Sequence, residues 1–206
     1  MICLGLVLCA SAWQLPFAAA DDREDRERAV AAIQKLGGKV EVADADPGRP
    51  VVKVSFRNTK ITDEELSQLK PLTDLRELDL SHTDITSAGL LHVRGLTKLT
   101  ALNLSFNKVR DDGLAHLKDM SKLKWLDLER YCKSPEDYIS DAGLKHLKGL
   151  RSLEYLNLEW NKVTDAGVEH LKGLSNLTEV NLFFGKVTQA GVREMQKALP
   201  RAKIKN

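Results

Sequence analysis

The feature that most constrains this chain is a segment that recurs along it with a fixed period of 24 residues. Residues 153–176 read LEYLNLEWNKVTDAGVEHLKGLSN, and residues 99–122 read LTALNLSFNKVRDDGLAHLKDMSK. A third copy, LRELDLSHTDITSAGLLHVRGLTK, occupies residues 75–98. Repeats of this length predict an array in which each unit buries its apolar face only by stacking on its neighbours.

Each repeat consists of two halves with different periodicity. In the first half, the pattern Leu-x-x-Leu-x-Leu has the alternation of a β-strand, and stacked strands would form a parallel sheet on a concave side. The second half opens with Thr-Asp-Ala-Gly-Val at residues 164–168 and predicts a short helix on the convex side. Thr164 is the expected N-cap, and Asp165 lies at the positive end of the helix dipole. The chain is therefore predicted to be an α/β protein, a curved right-handed solenoid.

Two columns of equivalent residues are predicted to be structural. We expect the glycine of each helix opening to allow close packing between helix and sheet; this column contains Gly89, Gly113, Gly143, Gly167 and Gly191. A second column follows each strand and is expected to satisfy the backbone polar groups of the turn. It contains Thr59, Thr83, Asn107 and Asn161.

The repeat pattern L-x-x-L-x-L-x-x-N/T-x-I/V resembles the leucine-rich-repeat signature. The Thr-Asp-Ala-Gly helix opening is similar to the subtype that carries a full helix on the convex side. That subtype occurs in exported bacterial proteins and in substrate receptors of ubiquitin ligases. A leader-like segment, and no F-box-like helical domain, precedes the repeats, so the exported group is favoured. The resemblance implies a binding surface and names no partner.

Residues 1–20 differ in composition from the rest of the chain, with no charged residue and an apolar run from residue 2 to residue 12. They end in three alanines before a charged segment, which predicts a signal peptide cleaved after Ala20. The expected location is secreted, periplasmic or at the cell surface, and an uncleaved apolar anchor is the alternative. Lipid anchoring at Cys9 is not expected, because Leu8 stands where that chemistry needs a small residue.

The rest of the chain is predicted to have three parts. Residues 21–50 form an amino-terminal helical cap and turn, residues 51–200 form six repeats, and residues 201–206 form a carboxyl-terminal cap or tail. The fourth repeat carries six extra residues in a segment that contains Cys132, which we expect to be a free thiol. Insertions in repeat arrays go to loops on one face, often the binding face.

Charge and motifs exclude several functions. The net charge is +2, but the outward columns of the sheet hold seven acidic and four basic side chains, so no nucleic acid is expected there. A histidine column lies on successive helices about 10 Å apart, too far to share a metal at about 2 Å. Its members are His92, His116, His146 and His170. No catalytic motif is present, and no cofactor is expected.

The candidate binding surface is the outward face of the sheet. Trp125 and Tyr155 occupy equivalent positions on adjacent strands, and exposed aromatic side chains of this kind are favoured interface anchors. Acidic residues surround them, and two tyrosines lie in the insertion nearby. The candidate residues are Trp125, Tyr155, Glu77, Asp79, Asp127, Glu129, Glu159, Tyr131 and Tyr138.

The predicted function is non-enzymatic binding of a protein or peptide, with a basic surface that complements the acidic columns. We expect a monomer that does not insert into a membrane once the leader is removed. An enzyme inhibitor or regulatory subunit would use the same face. A hydrolase of envelope polymers is the least favoured alternative, since its motifs are missing.

Overall fold

The computed structural model describes residues 17–43, 49–130 and 138–206, and the side chains from residue 22 onward. Within these ranges the strands form one sheet in sequence order. The first strand pairs antiparallel with the second, and every later pair is parallel. The strands are β1 Lys39–Val42, β2 Val51–Ser55, β3 Glu77–Asp79, β4 Ala101–Asn103, β5 Trp125–Asp127, β6 Tyr155–Asn157, β7 Glu179–Asn181 and β8 Lys203–Lys205.

The sheet pairs equivalent residues of successive repeats. Leu78 is opposite Leu102, and Leu102 is opposite Leu126, so each leucine column forms a continuous buried ridge. Each fully buried leucine contributes about 2 kcal/mol relative to an exposed one. This register also aligns the outward side chains in rows across the sheet, which is the geometry on which the candidate surface depends.

The helical side is less helical than the resemblance implied. The first two repeats have only 3₁₀ turns, and a full α-helix was therefore the wrong expectation for them. Buried residues recur every three positions in these repeats, as in Leu90, Val93 and Leu96, and this spacing is shared by the repeats that have short α-helices. The α-helices are α1 Phe17–Lys35, α2 Asp111–Leu114, α3 Asp141–Leu144, α4 Asp165–Leu171 and α5 Gln189–Ala198, and the 3₁₀ helices are Glu64–Leu69, Gly89–His92, Ala115–Leu117 and Lys145–Leu147.

Aspartate side chains link successive repeats by hydrogen bonds on the helical side. The Asp141 carboxylate accepts hydrogen bonds from the Thr164 backbone N–H at 2.8 Å and from the Thr164 hydroxyl at 2.6 Å. Thr164 in turn caps α4, as predicted, because its Oγ1 accepts from the Ala166 N–H at 3.2 Å. The same two bonds link Asp63 to Thr86, Asp111 to Ser140 and Asp165 to Thr188.

This arrangement corrects the predicted role of the glycine column. A Cβ atom on Gly167 would lie 3.0 Å from Cγ of Asp141 and closer still to its Oδ1. Gly143 and Gly191 meet the aspartate of the preceding repeat in the same way. Four of the five glycines therefore make room for a carboxylate of the previous repeat, whereas a Cβ on Gly113 would meet Ser87.

The column that follows each strand satisfies the turn, as predicted. The Asn107 side chain donates to the Leu80 carbonyl at 2.7 Å and to the Leu104 carbonyl at 3.1 Å. Its Oδ1 accepts from the N–H groups of Thr83 at 3.2 Å and Ile85 at 3.0 Å. One buried amide thus links the turns of two repeats.

The ends of the array are covered by α1 and β8. Ala29 and Ile33 of α1 are buried against the first repeat, and β8 extends the sheet past the last one. The helix begins at Phe17, before the predicted cleavage point after Ala20. Among the described residues, no helix is both long and apolar enough to cross a bilayer.

Candidate interaction surface

The centre of the outward sheet face holds a stacked aromatic pair. Trp125 and Tyr155 are opposite each other on β5 and β6, with ring centroids 5.2 Å apart and ring planes 5° from parallel. Both side chains are half-buried, since each covers one face of the other. Burial and nearby carboxylates, Asp127 first among them, raise the pKa of Tyr155 to about 12. The phenol is therefore a protonated hydrogen-bond donor at physiological pH.

A carboxylate row runs beside this pair. The Asp127 Oδ1 accepts the Glu129 N–H at 2.9 Å, and Asp79 accepts both the N–H and the hydroxyl of Ser81 at 2.9 and 2.6 Å. Glu129 and Glu159 each accept a hydrogen bond from an asparagine of the next repeat. Asn157 donates to Glu129 at 3.2 Å, and Asn181 donates to Glu159 at 2.7 Å.

The acids at the amino-terminal ends of the strands are neutralised, and those in the middle of the face are not. Lys53 lies 3.3 Å from Glu77, Lys124 lies 2.9 Å from Glu154, and Lys205 pairs with Glu179. Within the described ranges no ion pair involves the four central acids, which we call the acidic row. The acidic row consists of Asp79, Asp127, Glu129 and Glu159.

The negative charge is disfavoured on two members of the acidic row, Asp127 and Glu129. Burial raises the pKa of Asp127, and the charges of Glu159 and Asp79 raise it further. Burial also raises the pKa of Glu129, with the Asp127 charge next in importance. A cation brought to this row would therefore offset the cost of burying these charges and reduce their mutual repulsion.

A second aromatic group, which we call the aromatic rim, lies at the carboxyl-terminal edge of the strands. Trp160 stacks on Phe184 with centroids 4.0 Å apart, and Phe183 lies 6.3 Å from Phe184. The exposed fractions are 38% for Trp160, 41% for Phe183 and 64% for Phe184. Trp160 and Phe184 are not among the candidate residues predicted from the sequence, yet they stack on each other and remain partly exposed. Both occupy the eighth position of successive repeats, which is a signal visible in the sequence.

Tyr138, which follows the insertion in the fourth repeat, lies at the edge of this surface. Tyr138 is half-buried, and the Lys162 ammonium lies 4.4 Å from the centre of its ring. This contact places Tyr138 beside the loop edge of the next repeat and outside the row that holds Trp125. Tyr131 and Cys132 lie outside the described residues.

The histidine column does not form a metal site. In the part of the chain that the structure describes, no group of three or more histidine, cysteine, aspartate or glutamate side chains could hold a metal ion. Each histidine is half-buried on a separate helical segment. Burial, followed by the charge of Lys145, lowers the pKa of His146.

Comparison with known families agrees with the strand and turn pattern. Residues 73–131 match one leucine-rich-repeat family model, and residues 149–172 match another. The chain is a leucine-rich-repeat protein. Leucine-rich repeats generally serve as protein-interaction modules, because their stacked strands present an extended surface. No curated protein matches the chain.

Solved structures of other leucine-rich-repeat proteins show the same fold. The chain resembles an internalin C2 of Listeria monocytogenes with a TM-score of 0.53 and 20% identity over 85% of this chain and 80% of the internalin. Another Listeria monocytogenes internalin matches with a TM-score of 0.45 and 20% identity. That match covers 77% of this chain and 54% of the internalin. A leucine-rich-repeat protein of Leptospira interrogans gives 0.49 at 19% identity, over 68% of this chain and 39% of that one. The chain thus spans about half the length of the second internalin.

Proposed function

We propose that this leucine-rich-repeat protein is a non-enzymatic module that binds a protein or peptide on the outward face of its sheet. The observation that carries the proposal is the acidic row, which forms no ion pair with another residue of the described ranges and runs beside the stacked Trp125 and Tyr155. Aromatic side chains supply the desolvated contacts that dominate interface energies, and the acidic row selects a basic partner surface.

Stacking geometry favours a protein partner over a polymer that lies flat on aromatic rings. The Trp125 and Tyr155 planes are within 5° of parallel and face each other, so each ring covers one face of the other. Negative charge on this face repels phosphate backbones. The leader-like residues 1–20 support an exported protein, and the partner would then be met outside the cytoplasm.

A photocrosslinking experiment in the source organism tests the proposal. A benzophenone amino acid replaces Tyr155 in one variant and Leu91 in the control, since Leu91 is 48% exposed on the helical side. We expect one dominant crosslinked protein from position 155 and none from position 91. Adding Trp125→Ala should abolish the product, while circular dichroism shows an unchanged fold.

The proposal fails if both positions give the same products, because the partner would then not distinguish the sheet face. It also fails if the product at position 155 survives Trp125→Ala.

A further inference from the structure

The sheet face contains a slot above β4, between β3 and β5. Strand β4 presents Ala101 and Asn103, which are the shortest uncharged pair in these rows, and longer side chains rise on both sides. The resulting cavity has a volume of about 270 Å³, which is the scale of a single side chain. Its lining residues are Lys53, Glu77, Leu78, Asp79, Ala101, Asn103 and Trp125.

Ala101 creates this slot. Every other repeat has a long side chain at the equivalent position, so the slot interrupts an otherwise filled row; these side chains are Lys53, Glu77, Trp125, Tyr155 and Glu179. The fold therefore tolerates a large residue at this place on the sheet. A leucine at position 101 would close the slot without disturbing the core, because residue 101 points outward between the buried Leu99 and Leu102.

One wall of the slot is an aromatic face. Tyr155 covers one face of the Trp125 indole, and the opposite face is directed toward Ala101 on β4. A cation placed over a tryptophan face is attracted by the ring quadrupole, and a planar guanidinium can also stack on it. The wall is thus suited to a flat cation.

The ends of the slot are negative. Asp79, Asn103 and Asp127 are opposite one another on three adjacent strands, so a cation over Asn103 lies about 4.8 Å, one strand spacing, from each aspartate strand. The two carboxylates already affect each other, since the Asp79 charge raises the pKa of Asp127. Both bonds from Ser81 go to Oδ1 of Asp79, so Oδ2 can accept hydrogen bonds from a ligand.

Lys53 does not reverse this charge. Its ammonium lies 3.3 Å from Glu77 and 3.6 Å from Glu41, at the β1 side of the slot and away from Trp125. Because Lys53 pairs with Glu77, its charge does not neutralise the carboxylate of Asp79.

We propose that this slot receives one arginine side chain of the partner, with the guanidinium flat against Trp125 and donating hydrogen bonds to Asp79. The proposal rests on the proposed function, because it names the group that the sheet face recognises. Arginine fits better than lysine, since only the planar guanidinium can stack and donate two parallel hydrogen bonds.

The test is a titration of the full chain, labelled with nitrogen-15, with N-acetyl-arginine amide as the probe. Binding is measured by nuclear magnetic resonance. The chain has three tryptophans, and Trp125→Phe and Trp160→Phe variants assign the indole signals. We expect a saturable shift of the Trp125 signal with a dissociation constant on the order of 1 mM, the scale for a ligand of about 15 non-hydrogen atoms. N-acetyl-citrulline amide, which is nearly isosteric and uncharged, should not cause it.

Two variants locate the site. Ala101→Leu should weaken binding at least about tenfold by filling the slot, while Ala166→Leu, the same change on the exposed helical side, should have no effect. Asp79→Asn should weaken it about fivefold. That variant keeps the turn, because Asn103 makes the equivalent bonds to Ser105 at 3.0 and 2.7 Å.

The outcomes separate this inference from the proposed function. An absent shift, an equal shift with citrulline or lysine amide, or binding that survives Ala101→Leu overturns the arginine assignment. Such a result leaves the crosslink at position 155 as an independent measure of whether the face binds a protein. Conversely, arginine binding without any crosslink supports the slot and contradicts the proposed function.

Discussion

Replacing Gly167 with alanine should destabilise the array although alanine is the better helix former. The added Cβ would overlap Oδ1 of Asp141 and lie 3.0 Å from Cγ of Asp141 and from Cγ1 of Val163. The Asp141 carboxylate must then move, and both of its hydrogen bonds to Thr164, at 2.8 and 2.6 Å, are lost.

The expected magnitude follows from these two bonds. Charge-assisted hydrogen bonds contribute about 1.5 kcal/mol each at the low end of their range, which suits a half-buried pair. Their loss totals about 3 kcal/mol, and the better helix propensity of alanine offsets about 1 kcal/mol of it. Gly167→Ala should therefore lower the free energy of unfolding by about 2 kcal/mol.

The sign of this effect should reverse when Asp141 is already alanine. In that background the carboxylate is absent and its bonds are gone, so Gly167→Ala should be neutral or stabilise by up to about 1 kcal/mol. Gly173→Ala is the matched control in the same repeat, because no atom lies within 4 Å of its added Cβ. This control should stabilise by about 0.5 kcal/mol.

Urea denaturation followed by circular dichroism gives the free energies of unfolding of the wild type, the two single variants, the double variant and the Gly173→Ala control. If Gly167→Ala has the same effect with and without Asp141, the carboxylate is not the reason for the glycine column. The reasoning would also be refuted if Gly167→Ala stabilised the protein as Gly173→Ala is expected to do.

Three further predictions concern polar groups that are buried or half-buried. Asp127→Asn should stabilise the protein at neutral pH, because burial raises the pKa of Asp127. The free energy of unfolding of the wild type should therefore rise as the pH falls toward about 4. In urea melts, the variant should lack this dependence of stability on pH. Burial lowers the pKa of His146, so stability should fall as the pH drops below about 6.5, and thermal melts of His146→Gln should show a flatter profile. Asn107→Ala should lower the free energy of unfolding by about 3 kcal/mol, because it leaves buried N–H and C=O groups unpaired, whereas Asn176→Ala, at an exposed site, should change it little.

Local alternation explains why so much of the sheet could be predicted. The leucine pattern determines which side chains point inward, and equal repeat lengths place Trp125 beside Tyr155 without further information. The turn amides could be predicted for the same reason, since Asn107 bonds mainly to neighbouring turns. The length of each helix could not, because it depends on how the next repeat packs.

The aromatic rim could not be predicted from alternation, because the chain leaves the strand geometry there. Trp160 and Phe184 have φ values of 61° and 59°, a left-handed conformation that bulky side chains rarely adopt. A residue in this conformation points in a direction that the period of a strand does not give. The reason for Gly167 was missed on similar grounds, since its neighbour Asp141 belongs to the preceding repeat.

The acidic row contains charge that the turn does not need. At the position of Asp127, other repeats carry Asn103 and Asn157, whose Oδ1 accepts the same backbone N–H at 3.0 Å, against 2.9 Å for Asp127. An asparagine would therefore hold the turn without the desolvation that raises the pKa of Asp127. A carboxylate whose turn bond an asparagine could also make is consistent with the proposed basic partner, because proteins give up stability at sites of function. Asp127→Asn should then increase stability and decrease arginine affinity together, and a variant that loses stability would show that the carboxylate serves the fold.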